Sequence, residues 1–236
     1  MTERSAASVS RDRHEFVVGP SGLRWDGVSL QIDLDEIGMP IPLRVRGRVR
    51  VWPRGLAQFG AALDDAGAHR WGPIAPCARI EVDLQRPGLS WRGEAYLDCN
   101  EGDEPISQPF ESWDWSRSSL RDGSTAVIYD VRQKQGADRV IAQRFDARGE
   151  AQEFAVPPRQ ALPRTLWRIE RHMRSEPGEP ARVSRTLEDT PFYTRSMLDS
   201  QLFGQRVASV HETLSVPRLV ARSTRLMLPW RMPRVR

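Results

Sequence analysis

Apolar and basic residues alternate along LRVRGRVRVW, with Leu43, Val45, Val49 and Val51 in one phase and Arg44, Arg46, Arg48 and Arg50 in the other. Successive side chains of a β-strand point to opposite faces, so this period of two predicts a strand with one buried face. Its arginines are expected on a solvated face, against acidic side chains of a neighbouring strand, or against phosphate headgroups. The same period returns in ARIEVDL, where Ala78, Ile80, Val82 and Leu84 alternate with Arg79, Glu81 and Asp83. In LSWRGEAYLD, Trp91, Gly93, Ala95 and Leu97 alternate with Arg92, Glu94, Tyr96 and Asp98. The QRPG turn at Gln85 to Gly88 predicts that these two strands are antiparallel neighbours.

Shorter runs, LRWDG and VSLQIDLDE, precede them, and AQFGAALDDAGAHRW reads as a turn-rich connection. Residues 1–15 are polar and charged and are expected to be poorly ordered. Residues 100–112 are acidic, contain two prolines and lack periodicity, which predicts a linker. A second set of strand-like runs follows WDWSRSSLRDG: TAVIYDVR, DRVIAQRFD, TLWRIERHMR, ARVSRTLED and SVHETLSV. With so little helical periodicity, the pattern predicts an all-β sandwich or barrel architecture. It divides into two successive antiparallel β units, residues 1–112 and 113–236.

Composition narrows the class. Hydrophobic residues make up 39% of the 236 positions and mean hydropathy is −0.54, as in a globular protein. No run approaches the ~18 apolar residues of a membrane-spanning helix. The first residues, MTERSAASVSRDRHEF, have no apolar core of a secretory signal, so a cytoplasmic chain is the default expectation. Net charge is only +4, but no acidic residue follows Glu212, whereas Arg218, Arg222, Arg225, Arg231, Arg234 and Arg236 do. That tail also carries Leu226, Met227, Leu228 and Trp230, a mixture suited to the headgroup level of an anionic membrane. The plainer reading is a last barrel strand with a basic end, and Pro229 and Pro233 argue against a long amphipathic helix in either case. No nucleic-acid module is recognisable. Cys77 and Cys99 are expected to be reduced, buried thiols.

No P-loop, dinucleotide-binding fingerprint, H-E-x-x-H, C-x-x-C or G-x-S-x-G occurs, so neither a metal site nor serine-hydrolase chemistry has support. What remains is His69-x-Trp71 and Tyr96-x-Asp98. Residues two apart on a strand share a face, so one acid, one base and two aromatics are placed to converge on a single pocket. Each also has a structural reading: a histidine after a turn, core aromatics and an aspartate at a strand end.

Long blocks of the chain resemble the carotenoid 1,2-hydratase (hydroxyneurosporene synthase, CrtC) family. They are MTER, GPSGLRWDG, RWGPIAPCARIEVDL, PGLSWRGEAYLDCNEGDEP, WDWSR, RTLEDTPFYTRSML, LFG and LPWRMPR. The resemblance implies two tandem lipocalin-like antiparallel β-barrel units. Family members carry a further N-terminal segment before the Met-Thr-Glu-Arg block, where this chain begins, so the first barrel is expected to be incomplete. The family's catalytic His-x-Trp falls on His69 and Trp71, and its Tyr-x-Asp on Tyr96 and Asp98. The implied reaction adds water to the terminal 1,2 double bond of an acyclic carotenoid of the neurosporene or lycopene type, without cofactor or metal. On that reading Asp98 donates the proton and Trp71 and Tyr96 stabilise the tertiary carbocation. His69 orients the attacking water, takes its proton and returns it to Asp98. Arg92, on the same strand face, is expected further along, away from the pocket. The implied location is peripheral, on the cytoplasmic side of the inner or intracytoplasmic membrane. The alternatives are a non-catalytic lipocalin-like carrier of an apolar ligand and an inactive truncated paralogue.

Overall fold

A computed structural model describes residues 3–38, 41–231 and 234–235. The chain is all-β. A two-residue strand, β1 (Glu3–Arg4), pairs in parallel with β19 (Arg234–Val235); every other pairing described is antiparallel. The first large sheet is a meander of β2 (Val9–Arg11), β3 (Glu15–Val18), β4 (Ser21–Trp25), β5 (Leu30–Ile37) and β6 (Arg44–Pro53). It continues through β7 (Ala61–Ala62), β8 (His69–Arg86) and β9 (Leu89–Gly102). Strand β2 lies inside the polar stretch expected to lack order. Charged residues fit there because its three side chains are all exposed.

The arginine ladder of β6 lies as its alternation predicts. Arg44 binds Asp35 and Arg48 binds Asp33, both on β5. β8 is much longer than its clean ARIEVDL run because Pro73 and Pro76 sit at two register irregularities, Pro73/Ala75 and Ala75/Ala78. Proline cannot donate to a ladder and is tolerated at bulges. The upper half of β8 pairs with β7 and the lower half with β6, while β9 pairs with both halves.

The second sheet has the order β13-β12-β11-β10-β18-β17-β16. Its strands are β10 (Phe110–Ser119), β11 (Thr125–Gln133), β12 (Arg139–Phe145), β13 (Ala151–Glu153), β16 (Arg182–Asp189), β17 (Tyr193–Leu202) and β18 (Gln205–Ser215). A small hairpin, β14 (Arg159–Ala161) with β15 (His172–Arg174), stands apart from it. The strand paths are linear, and no closed barrel forms among the described residues.

Several expectations are corrected here. The linker shrinks to residues 103–109, since β9 runs through Gly102 and β10 begins at the buried Phe110. TLWRIERHMR is mostly loop; only His172–Arg174 is strand. β17 has no apolar alternation because its buried face is largely hydroxylic: Thr194, Ser196 and Ser200 accompany Leu198 and Leu202. Those hydroxyls belong to a polar interior in which Arg171 donates to Ser196, Ser200 meets Ser209 and Thr213 donates to Asp114, so these buried hydroxyls find partners. Of the two thiols only Cys77 is buried; Cys99 is exposed, on the β9 face opposite Asp98. The tail is not a last strand of the sheet. It forms α1 (Val216–Leu219) and α2 (Arg222–Arg231), with Pro229 in the last turn of α2, while Pro233 lies outside the described residues.

The two sheets share a core in which Leu63 and Trp71 pack with Phe110, Tyr129, Phe145 and Leu214. They approach closely where Gly55, after β6, crosses the β12–β13 turn. A Cβ at Gly55 would lie 2.3 Å from the Arg148 carbonyl carbon and oxygen. Backbone cannot give way as a flexible side chain can, so Gly55→Ala is expected to cost about 1–3 kcal/mol, read as a lower thermal midpoint with unchanged far-ultraviolet circular dichroism.

Candidate active site

Strand alternation and the β8–β9 register bring three of the four expected residues together. Asp98 faces Pro73 and Asn100 faces Trp71 in the ladder, so the Trp71 indole reaches diagonally to Asp98. Its Nε1 donates to Asp98 Oδ2 at 2.9 Å, and the Tyr96 hydroxyl donates to the same oxygen at 3.1 Å. Oδ1 has no hydrogen-bond partner among the described residues. Burial, and after it the neighbouring Asp98 charge, pushes the Tyr96 hydroxyl far above the ordinary tyrosine range, so it remains a donor. Arg117 packs on the Tyr96 ring, 5.8 Å from its centroid, and burial lowers its own pKa.

Asp98 opens into a cavity of about 360 Å³ between the sheets, near the lower end of the ~300–1,000 Å³ typical of ligand pockets. Trp113 and Trp115 from β10 and Tyr129 from β11 form its aromatic wall. Tyr193, Arg195, Glu212 and Leu219 come from β17, β18 and α1. Trp115 tilts against Tyr96 at 5.5 Å, and Tyr129 meets Trp71 edge-on at 5.8 Å. Arg92 lies six residues from Asp98, about 20 Å along an extended strand, where it pairs with Glu81 in solvent.

His69 is held elsewhere. Its Nδ1 meets Asp64 Oδ2 at 2.8 Å and its Nε2 meets the Glu104 carbonyl oxygen at 3.0 Å. Phe110 closes over the ring edge-on at 4.8 Å. Both ring nitrogens are thus engaged by oxygen atoms outside the Asp98 cluster. Burial opposes ionisation of Asp64. Hydrogen bonds from the His69 ring, Ala68 N and His69 N outweigh it and hold the carboxyl below its ordinary value. His69 thus anchors the first residues of β8, two positions before Trp71, and makes none of the hydrogen bonds of the Asp98 cluster.

The cavity's second wall was not read from the sequence. Trp113-Asp114-Trp115 has the same two-residue spacing as His-x-Trp, but that spacing marks only a shared strand face and not what the face packs against. Asp64 lay in a stretch read only as a turn. Among the described residues no group of three or more His, Cys, Asp or Glu side chains is arranged to hold a metal ion.

Comparison with known proteins identifies the family. The family model described as carotenoid hydratase CrtC matches residues 1–236. An acyclic carotenoid 1,2-hydratase from Rubrivivax gelatinosus is 62% identical over 234 residues, 99% of this chain and 58% of that protein. One from Thiocapsa roseopersicina is 48% identical over 236 residues, 100% of this chain and 58% of its own length. A third, from Cereibacter sphaeroides, is 36% identical across 99% of this chain and 84% of its own length. The chain thus spans 58% of the length of the first two relatives. With a match from the first residue to the last, this chain belongs to the carotenoid hydratase CrtC family.

Proposed function

We propose that this chain hydrates the terminal 1,2 double bond of an acyclic carotenoid by acid catalysis, without metal or organic cofactor. The observation that carries the reading is the convergence of Trp71 Nε1 and the Tyr96 hydroxyl on one oxygen of Asp98 inside an aromatic-lined cavity. Both donors occupy Oδ2, so a proton on Asp98 belongs on Oδ1. Donation from Oδ1 to the less substituted alkene carbon forms a C–H bond and leaves a tertiary carbocation on its neighbour. General acid catalysis of this kind supplies ~10²–10⁴-fold. The indole and phenol π-faces favour the cation, and in a desolvated site each such contact is worth on the order of 2 kcal/mol, roughly 30-fold in rate. Water then adds to the cation and loses a proton, giving the tertiary alcohol. His69 acts as a positioning residue, through β8 and Trp71.

The relatives' names support an acyclic carotenoid as the proposed substrate, a molecule that resides in lipid. A polyene gains little on moving from bilayer to apolar pocket, so delivery calls for docking at the membrane, here proposed as peripheral and on its cytoplasmic side. The surface around α1 supports this. The loop before β15 presents Leu166, 95% exposed, and Trp167, 50% exposed. Arg218 of α1 fixes that loop by donating to the carbonyls of Trp167 and Arg168. Beside it α2 shows Leu226, 74% exposed, with Arg222 and Arg225 also exposed. Leu219 of the same α1 lines the cavity. Apolar tips among arginines match an anionic bilayer, each arginine contributing ~1 kcal/mol near its surface. Leu166→Ala with Trp167→Ala is expected to weaken sedimentation with phosphatidylglycerol vesicles about tenfold or more, and added salt to weaken binding of the unsubstituted chain. Vesicle binding that ignored both would refute this docking surface.

The test of the reaction is anaerobic incubation with lycopene or neurosporene in lipid, followed by chromatography. A hydroxylated product supports the hydratase. Bound but unchanged carotenoid would favour a carrier.

A further inference from the structure

The proposed reaction leaves one proton without a destination. Once water has added to the carbocation, the resulting oxonium must lose a proton. The ring nitrogens of His69 are already engaged by Asp64 and the Glu104 carbonyl, away from the Asp98 cluster. The cavity that holds Asp98 contains one other carboxylate among its lining residues, Glu212 of β18.

Strand register places it. Glu212 stands opposite Trp115 in the β10–β18 pair and opposite Arg195 in the β17–β18 pair. Alternation therefore turns Glu212 and Leu214 toward the cavity, and His211 and Thr213 into the polar interior behind. Arg195 Nε donates to Glu212 Oε1 at 2.8 Å. Trp115 carries a buried Nε1–H with no partner among the described residues. A donor and a carboxylate thus stand on neighbouring strands where a water would satisfy both. The Tyr129 hydroxyl lies within the influence of both carboxylates: burial raises its pKa first, then the charges of Asp98 and Glu212.

We propose that Glu212, held by Arg195, is the catalytic base that positions the attacking water and takes its proton. This rests on the acid-catalysed reading of Asp98. The steps balance: Asp98 Oδ1–H gives its proton to carbon, and the alkene π pair forms the C–H bond. A water lone pair forms the C–O bond, and one water O–H breaks with its proton passing to Glu212. Return of that proton to Asp98 through solvent in the cavity resets the site. An arginine-bound carboxylate is a weak base, but a protonated tertiary alcohol is a far stronger acid than any carboxylic acid, so a weak base is enough. Placing acid and base on different sheets also lets water approach from the wall opposite Asp98.

The test is incubation with lycopene in deuterium oxide and lipid, comparing the unsubstituted chain with Glu212→Gln and Asp98→Asn. Glutamine keeps an oxygen for Arg195 and so preserves the ion pair's geometry. Without the base, the cation should form and revert by losing a proton to Asp98. Glu212→Gln is therefore expected to lose product at least about 100-fold while deuterium still enters recovered lycopene; Asp98→Asn should show neither. Added formate is expected to restore product to Glu212→Ala, which a purely structural ion pair would not allow. Full hydration by Glu212→Gln would overturn the proposal and make Asp98 both acid and base. Equal loss of product and exchange in Glu212→Gln would overturn it too, marking the residue as structural. Neither product nor exchange from the unsubstituted chain would remove the hydratase reading itself, and this inference with it.

Discussion

Asp98→Asn is expected to abolish hydration, with turnover falling ~10²–10⁴-fold or below detection, while folding stability stays within about 1 kcal/mol of the unsubstituted chain. The asymmetry follows from the hydrogen bonds. Trp71 Nε1 and the Tyr96 hydroxyl are both donors to Oδ2, and an asparagine carbonyl oxygen accepts both equally well. The amide keeps the shape of the site and removes only the transferable proton. Far-ultraviolet circular dichroism and melting establish folding, and product chromatography reads turnover. Retained activity in a folded Asp98→Asn chain would remove Asp98 from the role of acid.

The largest stability effect is expected at the His69–Asp64 pair. Both side chains are 3% exposed, and removing one partner of such a pair strands the other in the interior, at a cost of ~3–5 kcal/mol. For a chain of this length that lowers the melting midpoint by roughly 6–20 °C. His69→Ala also opens space beneath Phe110 and leaves the Glu104 carbonyl without its ring partner. Activity should fall with the folded fraction and with loss of Trp71 placement. Unchanged melting with turnover selectively lost would instead assign His69 a chemical role. Acid adds a second reading. The Asp64 carboxyl is held below its ordinary value of 3.8 in the folded state, so its stabilisation is present above that value. It is lost as pH falls through the lower folded value, where protons bind the unfolded chain first. Asp64→Asn should lack that acid-labile part, so its stability should depend less on pH below about 4.

Period-two alternation located strands wherever one face is apolar and the other charged, as along β6, the lower half of β8, and β9. It passed over β17, whose buried side chains are mostly Ser and Thr, because burial there is sustained by hydrogen bonds rather than by hydrophobicity. It also misread TLWRIERHMR, where Leu166 and Trp167 project from an exposed loop, Ile169 is buried outside any strand, and only His172–Arg174 is strand. In the candidate site, Tyr96 and Asp98 were legible together because a strand fixes two-residue neighbours on one face. Trp71 joined them only through the β8–β9 register. The far wall of the cavity depends on packing one sheet against the other, which no local spacing encodes. Glu212 looks in the sequence like any acidic residue on a strand, and His69 is separated from Trp71's hydrogen bonds by partners, Asp64 and the Glu104 carbonyl, that a pattern of residues does not reveal.

The measurement that bears most directly on the account is anaerobic turnover of lycopene by the unsubstituted chain in water labelled with heavy oxygen and deuterium, followed by mass spectrometry of the product. Acid-catalysed hydration predicts an alcohol whose oxygen comes from water, with one solvent-derived deuterium on the adjacent carbon. An oxygenated product lacking either label, or no product while carotenoid is bound, would contradict it.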